Sequence, residues 1–469
     1  MLMECEVMET VKKYNLYYER TQKTELKKRE TASYIGGGLG NSLLSGLINV
    51  YLMIYATDVF GVSALAVGTI FFIAKIVDAI SDPIAGIIVD RTRTPFGKFR
   101  PYLVVSSIAW VLLTILLFNG PDLSDSGKFT YLLAVYILWG LAFTFFDVPY
   151  WSFSTVMTQD ETKRTRLVSI ARVSTLVGMI LLMLAGGPIV AYIDGINPGR
   201  GYSNLAIIAS VLALIVMLVM AFTCKERVKS SSQAVSLRST FSYLKMNRPL
   251  QLTLLSAFLG LSMPISQSLS VYFAVNNLGN ISYMAMLNIP ALLIVPLIPM
   301  IVPALTKRFE KKYIFLACTI ANAITLLILF VVGYDHLPFV FILNGITLFF
   351  ALINSTIISL FIADAIDYGE WKTGNRFEAI SFAVQSFTSK CQGAISGLLV
   401  GFILTFIGYQ AASQSQTPET VDGIFLGFTV VPAIVGIIAA IPILFIKFSG
   451  KVRESVLDEI KQRRTSIDN

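Results

Sequence analysis

Residues 63–101 read SALAVGTIFFIAKIVDAISDPIAGIIVDRTRTPFGKFRP. From Ser63 to Val89 the stretch is apolar apart from a few small polar residues and Lys75, Asp78 and Asp82. It exceeds the roughly 20 residues that carry a helix across a bilayer. It then stops in a short basic segment holding Arg91, Arg93, Lys98 and Arg100. A long apolar run closed by a short loop is the unit from which the chain is built. Eleven further runs lie near 33–56, 101–119, 130–158, 167–192, 203–224, 249–276, 283–305, 312–333, 337–362, 379–408 and 424–447. Helices are the form that lipid permits, because hydrocarbon offers no partner to a free backbone amide. A membrane β-barrel would alternate in strands of about 10 residues, and the runs show no such alternation.

Composition agrees. Of 469 residues, 55% are hydrophobic and 14% charged, against about 25% charged in soluble globular chains. The mean hydropathy is +0.70. The reading is an all-α membrane protein with twelve transmembrane helices. With the N-terminus placed in the cytoplasm, the outer loops carry only Lys128 and Arg200 among basic residues. The inner loops hold Lys163, Arg164, Arg166, Lys307, Arg308, Lys311 and Lys312 as well as the basic segment quoted above. Cytoplasmic loops are enriched in Lys and Arg, so the net charge of +8 is the signature of membrane orientation and calls for no nucleic acid. Both termini then lie in the cytoplasm, and the chain is expected in the cell membrane. The polar first 31 residues have no apolar core before a cleavage site and read as no secretory signal. Cys5, Cys224, Cys318 and Cys391 form no CxxC pair, which argues against a disulfide framework or zinc site.

A hydrophilic stretch from Lys225 to Arg248 splits the runs into two sets of six. The expected layout is an N-terminal tail over 1–32, a six-helix bundle over 33–224, a central loop over 225–248, a second bundle over 249–448 and a C-terminal tail over 449–469. The loops 86–101 and 302–313 are both short and basic and occupy equivalent places. Two pseudo-symmetric six-helix bundles make a known transporter plan.

Charges inside the runs carry the function. Each is costly in hydrocarbon and faces a cavity or a partner. Asp78 and Asp82 are four residues apart and share one helix face. Two carboxylates there repel each other unless a proton or cation lies between them, which is what a coupling-ion site requires. Lys75 stands one turn before Asp78, and Ser81 adds a neutral oxygen. In the fourth run, Thr144, Asp147 and Trp151 share a face. A carboxylate beside an indole suits a sugar: the acid accepts from hydroxyls and the ring covers the apolar side of a pyranose. Arg172 and Lys390 are further charges within runs. The competing account is structural, an ion network in which Asp78, Asp82, Asp147 and Asp364 neutralise Lys75, Arg172 and Lys390. Trp110 and Trp139 read as packing or anchoring residues, and His336, the only His, falls in an outer loop.

At these residues the chain resembles the glycoside–pentoside–hexuronide:cation symporters of the major facilitator superfamily, the family of the melibiose permease. The matching stretches are YATDVFGVSALAVGTIFFIAKIVDAISDPIAGIIVDRTRTPFGKFRP, ILWGLAFTFFDVPYWS and ADAIDYGEWKTGNRFEAISFAVQSFTSKCQG. The resemblance implies two six-helix bundles, alternating access and no covalent chemistry. It assigns Asp78, Asp82, Ser81 and Thr144 to the cation, with Asp78 and Asp82 as metal ligands only if the ion is sodium. It assigns Asp147, Trp151, Arg172 and Lys390 to the sugar, together with Asn41, Ser42 and Gln385. The segments DRTRTPFGKFRP and DYGEWKTGNR match loops that gate the inner side, so Arg91, Asp364, Asp367 and Arg376 are expected there.

Two departures matter. Asn41 and Ser42 stand where the melibiose permease has a Lys–Asp pair, which leaves Arg172 and Lys390 less neutralised and more tolerant of an acidic sugar. Ser81 stands where that protein has a sodium-supporting Asn, which tilts the coupling ion toward a proton while leaving sodium open. The expected partners are a small sugar, a proton or sodium, and the lipid bilayer, with no other cofactor, and the chain is expected to act as a monomer. A membrane-embedded enzyme is disfavoured, since no HExxH or GxSxG stands in a suitable context. A sugar sensor that moves nothing, or a lysolipid transporter on the same fold, stays open as an alternative.

Overall fold

The computed structural model describes residues 26–158, 161–227, 243–374, 378–411, 415–448 and 450–467, and each of the twelve apolar runs falls on helix. Among the described residues there is no strand, only a Thr94–Gly97 bridge in a loop. Among the described residues, eleven helical segments are long and apolar enough to cross a membrane. The remaining run is the first. Helix α1 (Lys28–Leu47) continues through wider turns as far as Val59. It is long enough to span, but its segment YIGGGLGNSLL holds glycines, Asn and Ser where the other runs hold Leu and Ile.

The first half continues with α2 (Ala64–Arg91), α3 (Arg100–Leu117), α4 (Asp125–Met157), α5 (Glu161–Ile196) and α6 (Gly201–Thr223). The second half has α7 (Arg248–Leu259), α8 (Ser262–Tyr272), α9 (Tyr283–Ile294), α10 (Ile298–Arg308), α11 (Lys311–Val332), α12 (Leu337–Thr373), α13 (Glu378–Phe406), α14 (Pro418–Leu444) and α15 (Gly450–Ile467). The chain divides into two compact units, one taking residues 1–233 and 410–414, the other 234–409 and 415–469.

In the first unit α1 packs on α5 and α6, α2 on α4, and α3 on α4 and α6. Trp110 and Trp139 are buried against each other with ring centroids 5.6 Å apart, and the Trp139 indole donates to Thr114. They are packing residues. The turn before α3 depends on Gly97, which has φ +108°, a conformation that side chains with a Cβ avoid. Against it lies the Glu226 carboxylate, which accepts from the backbone N–H of Lys98, Phe99 and Arg100 at 2.8–3.2 Å. A distant acid thus caps the N-terminus of α3 and satisfies amides that the helix itself leaves open. In return, Arg100 donates to the carbonyls of Ala221 and Phe222 at the end of α6. Arg227 closes the same end with a buried, two-pronged pair to Glu30 at 2.8 and 3.0 Å.

In the second unit α11 packs on α12 and α14, while α7 and α8 lie against α13 and α14. The seventh run is not one helix: it breaks at Gly260 and Leu261 between α7 and α8. The Gln392 amide of α13 spans the break and donates to the carbonyls of Ala257 and Gly260 at 2.9 and 2.6 Å. The segment read as a C-terminal tail forms α15, whose Val456 and Ile460 are buried in the core of this unit.

Candidate functional site

The candidate side chains of the first unit are set by three contacts between helices. Tyr34 on α1 and Tyr150 on α4 stack at 4.8 Å, and each hydroxyl donates to the other's backbone carbonyl. This reciprocal pair fixes the register of α1 on α4. Two turns further along α1, Asn41 then meets Asp147, donating from Nδ2 to Oδ1 at 2.8 Å. Trp151, one turn along α4, donates its indole N–H to the same oxygen at 3.0 Å. Above the Trp151 ring sits the Arg172 guanidinium of α5, 4.9 Å from the centroid. Asn41, Asp147, Trp151 and Arg172 therefore form one constellation. Arg172 covers the indole, and the Tyr150 ring meets it edge-on with centroids 5.0 Å apart. Ser42 is not part of it, since its hydroxyl donates to the Leu39 carbonyl of its own helix.

The second cluster lies between α2 and α4. Asp78 is 3% exposed. Its Oδ2 accepts from Lys75 at 3.2 Å, whereas Oδ1 is buried and has no hydrogen-bond partner. A methyl group at Gly140 would overlap that oxygen, so glycine is what allows α4 to pass so close to the acid. Asp82 accepts from Thr144 at 2.8 Å. Thr144 and Asp147 thus turn to different neighbours, one toward α2 and the other toward α1. Ser81 is committed to the Asp78 carbonyl at 3.1 Å, which occupies its proton but leaves its lone pairs.

Of the seven charges considered for an ion network, Asp364 stands apart from Lys75 and Arg172. Lys75 goes to Asp78 and Arg172 to the Trp151 ring. Asp364 goes to neither, because Lys311 at the start of α11 reaches both its oxygens at 2.6 and 2.7 Å and Arg453 of α15 reaches Oδ1 at 2.7 Å. Asp367 is half-buried on the same helix, and Arg91 is exposed in the last turn of α2. Arg376 lies outside the described residues. Lys390 is half-buried on α13. Gln385, on that helix, lines a cavity of about 310 Å³ bordered by α7, α8, α11, α12, α13 and α14. This cavity escapes a reading based on charge, because its polar groups are neutral. The signal was present as Asn322, Asn354, Gln385 and Gln392, amides inside otherwise apolar runs.

Residues 33–450 match the family described as MFS/sugar transport protein. The "Uncharacterized symporter YjmB" of Bacillus subtilis is 32% identical, over 93% of this chain and 96% of its own. The "Isoprimeverose transporter" of Lactiplantibacillus pentosus is 29% identical, over 92% and 91%. The "Glucuronide carrier protein homolog" of Escherichia coli is 28% identical, over 94% and 97%. Among solved structures, a bacterial homologue of the lysosomal transporter Spinster superposes with a TM-score of 0.67 at 14% identity, covering 92% of this chain and 98% of that one. That likeness is one of fold.

Proposed function

Because the chain belongs to the MFS/sugar transport protein family, we propose that it carries a sugar across the membrane by alternating access, driven by a cation that travels with it. It is a multi-pass membrane transporter and not an enzyme. The observation that supports ion coupling best is Asp78: a buried carboxylate with one oxygen lacking any donor, beside a second acid held by Thr144. A buried acceptor left without a donor is costly, and a proton or cation on Oδ1 removes that cost.

The coupling ion we favour is the proton, carried on Asp78. The Ser81 hydroxyl already serves a backbone carbonyl, and a hydroxyl is a poorer sodium ligand than an amide oxygen. On the sugar side, Asp147 has Oδ1 fixed by Asn41 and Trp151, and accepts from the substrate at Oδ2. Arg172 and Trp151 complete the contact. Where the melibiose permease uses a second acid, Asn41 orients the one that remains. Binding of the ion must raise sugar affinity by the factor by which sugar raises ion affinity. The basic loops lie in the cytoplasm, with both termini on that side of the cell membrane, and the monomer is the working unit.

Proteoliposomes with sodium and pH gradients imposed separately test this. A labelled neutral or acidic sugar should accumulate when the pH gradient alone is applied and exchange in counterflow without a gradient. Accumulation on a sodium gradient alone refutes the proton, and absence of counterflow across the sugar panel refutes transport in favour of a sensor.

A further inference from the structure

A second pocket, of about 280 Å³, lies at one end of the second unit, on the side that the reading above places toward the cytoplasm. Its walls come from α7, α12, α15 and the residues that follow α14. Two membrane-spanning segments have their ends here, one beginning at Arg248 and the other closing at Leu444. Helix α12 runs on past its apolar part, which ends near Ile362, and brings Tyr368 and Trp371 to the pocket. The pocket therefore sits in the headgroup layer that flanks the hydrocarbon core. Trp and Tyr concentrate in that layer.

The lining joins two kinds of surface. One is apolar and open: Phe445 and Val452 line the pocket with exposed side chains. The other is cationic, since Arg248 and Lys447 line it and no acid does. Neighbouring basic residues have structural tasks. Lys312 donates to the carbonyls of Leu444 and Ile446 and so caps the end of α14. Arg453 is committed to Asp364. Glu459 of α15, which could have offset the charge, accepts from the Trp371 indole at 2.7 Å. Arg248 and Lys447 are exposed, and among the described residues neither makes a hydrogen bond or an ion pair. Their charge has no structural use in the unit.

Two uncommitted cations beside open apolar side chains at headgroup depth match one chemistry: an anion that carries hydrocarbon. Basic pockets at the ends of spanning helices take acidic lipid headgroups. We propose that this pocket binds an anionic phospholipid. Its phosphodiester meets Arg248 and Lys447, and the start of its acyl chains covers Phe445 and Val452. A zwitterionic lipid brings an ammonium group that the two cations repel. A free phosphate gains the same cations but leaves the apolar side chains uncovered.

Trp371 is a built-in reporter for the test. The full chain is purified into phosphatidylcholine nanodiscs. A minor fraction of the lipid is then replaced by phosphatidylglycerol or by phosphatidylcholine, each brominated near the start of its acyl chains. Brominated phosphatidylglycerol should quench tryptophan fluorescence more strongly, with a preference of roughly tenfold over the zwitterionic lipid. The excess should vanish in Trp371→Phe, which locates it. It should also vanish in Arg248→Gln/Lys447→Gln, whereas Arg248→Lys/Lys447→Arg should keep it. Equal quenching by the two lipids overturns the proposal, and so does an excess that survives Trp371→Phe or the double Gln variant. Millimolar inorganic phosphate should leave the excess intact. Its loss to phosphate, but not to chloride at equal ionic strength, would assign the pocket to a free phosphate and overturn the lipid. No transport is measured, so the result stands or falls apart from the function proposed above.

Discussion

The two units solve the same problem, polarity inside a membrane, in opposite ways. The first concentrates charge: Lys75, Asp78 and Asp82 between α2 and α4, then Asp147 and Arg172 beside an indole. In the second, the described residues lining the cavity are uncharged, and Asp364 joins Lys311 and Arg453 from the starts of α11 and α15. A charged cluster can change its net charge by taking up an ion, and its energy changes steeply when it does. An amide-lined cavity cannot. On the function proposed above, the contrast makes the first unit the place where a coupling ion acts.

Three experiments would break or sharpen that division, and the largest effect belongs to Asp78. Asp78→Asn keeps the volume and removes the charge, so uphill accumulation should disappear while counterflow of the sugar persists. Undiminished uphill uptake in proteoliposomes would erase the distinction between the units. Next is Arg172→Ala, which removes the cation over Trp151 and its donors. Sugar affinity should fall about tenfold, read by equilibrium binding, and unchanged affinity would make Arg172 a packing residue. The smallest functional effect is expected at Asp364. Asp364→Asn leaves Lys311 and Arg453 without their shared acid, and the melting temperature should fall by roughly 5 °C. Coupling between Lys311→Ala and Arg453→Ala in a double-mutant cycle would show that the two act through the same carboxylate. If Asp364→Asn abolished accumulation instead, energy conversion would extend into the second unit.

Much of this was legible in the chain. Apolar runs reveal themselves because lipid demands them, and acids within runs stand out because lipid rejects them. The four-residue spacing of Asp78 and Asp82 and the pairing of Asp147 with Trp151 follow from helix geometry alone. Partners across helices are a different matter. That Asn41 would donate to Asp147, or that Arg453 from a polar tail would claim Asp364, depends on register between helices that no local pattern encodes. The break at Gly260 was hidden as well, since one glycine in an apolar run looks like any other until a side chain from another helix, here Gln392, binds the freed carbonyls.

The buried pair of Glu30 with Arg227 has a consequence for biosynthesis. It joins the two ends of the first unit, and the adjacent Glu226 caps α3 from just beyond α6. A ribosome that has made everything up to Thr223 has made six helices but neither clamp. Both clamps become available only when residues 226 and 227 emerge, three or four residues into the connecting stretch. The opening half is thus tied off by the first residues of the segment that leads to the next.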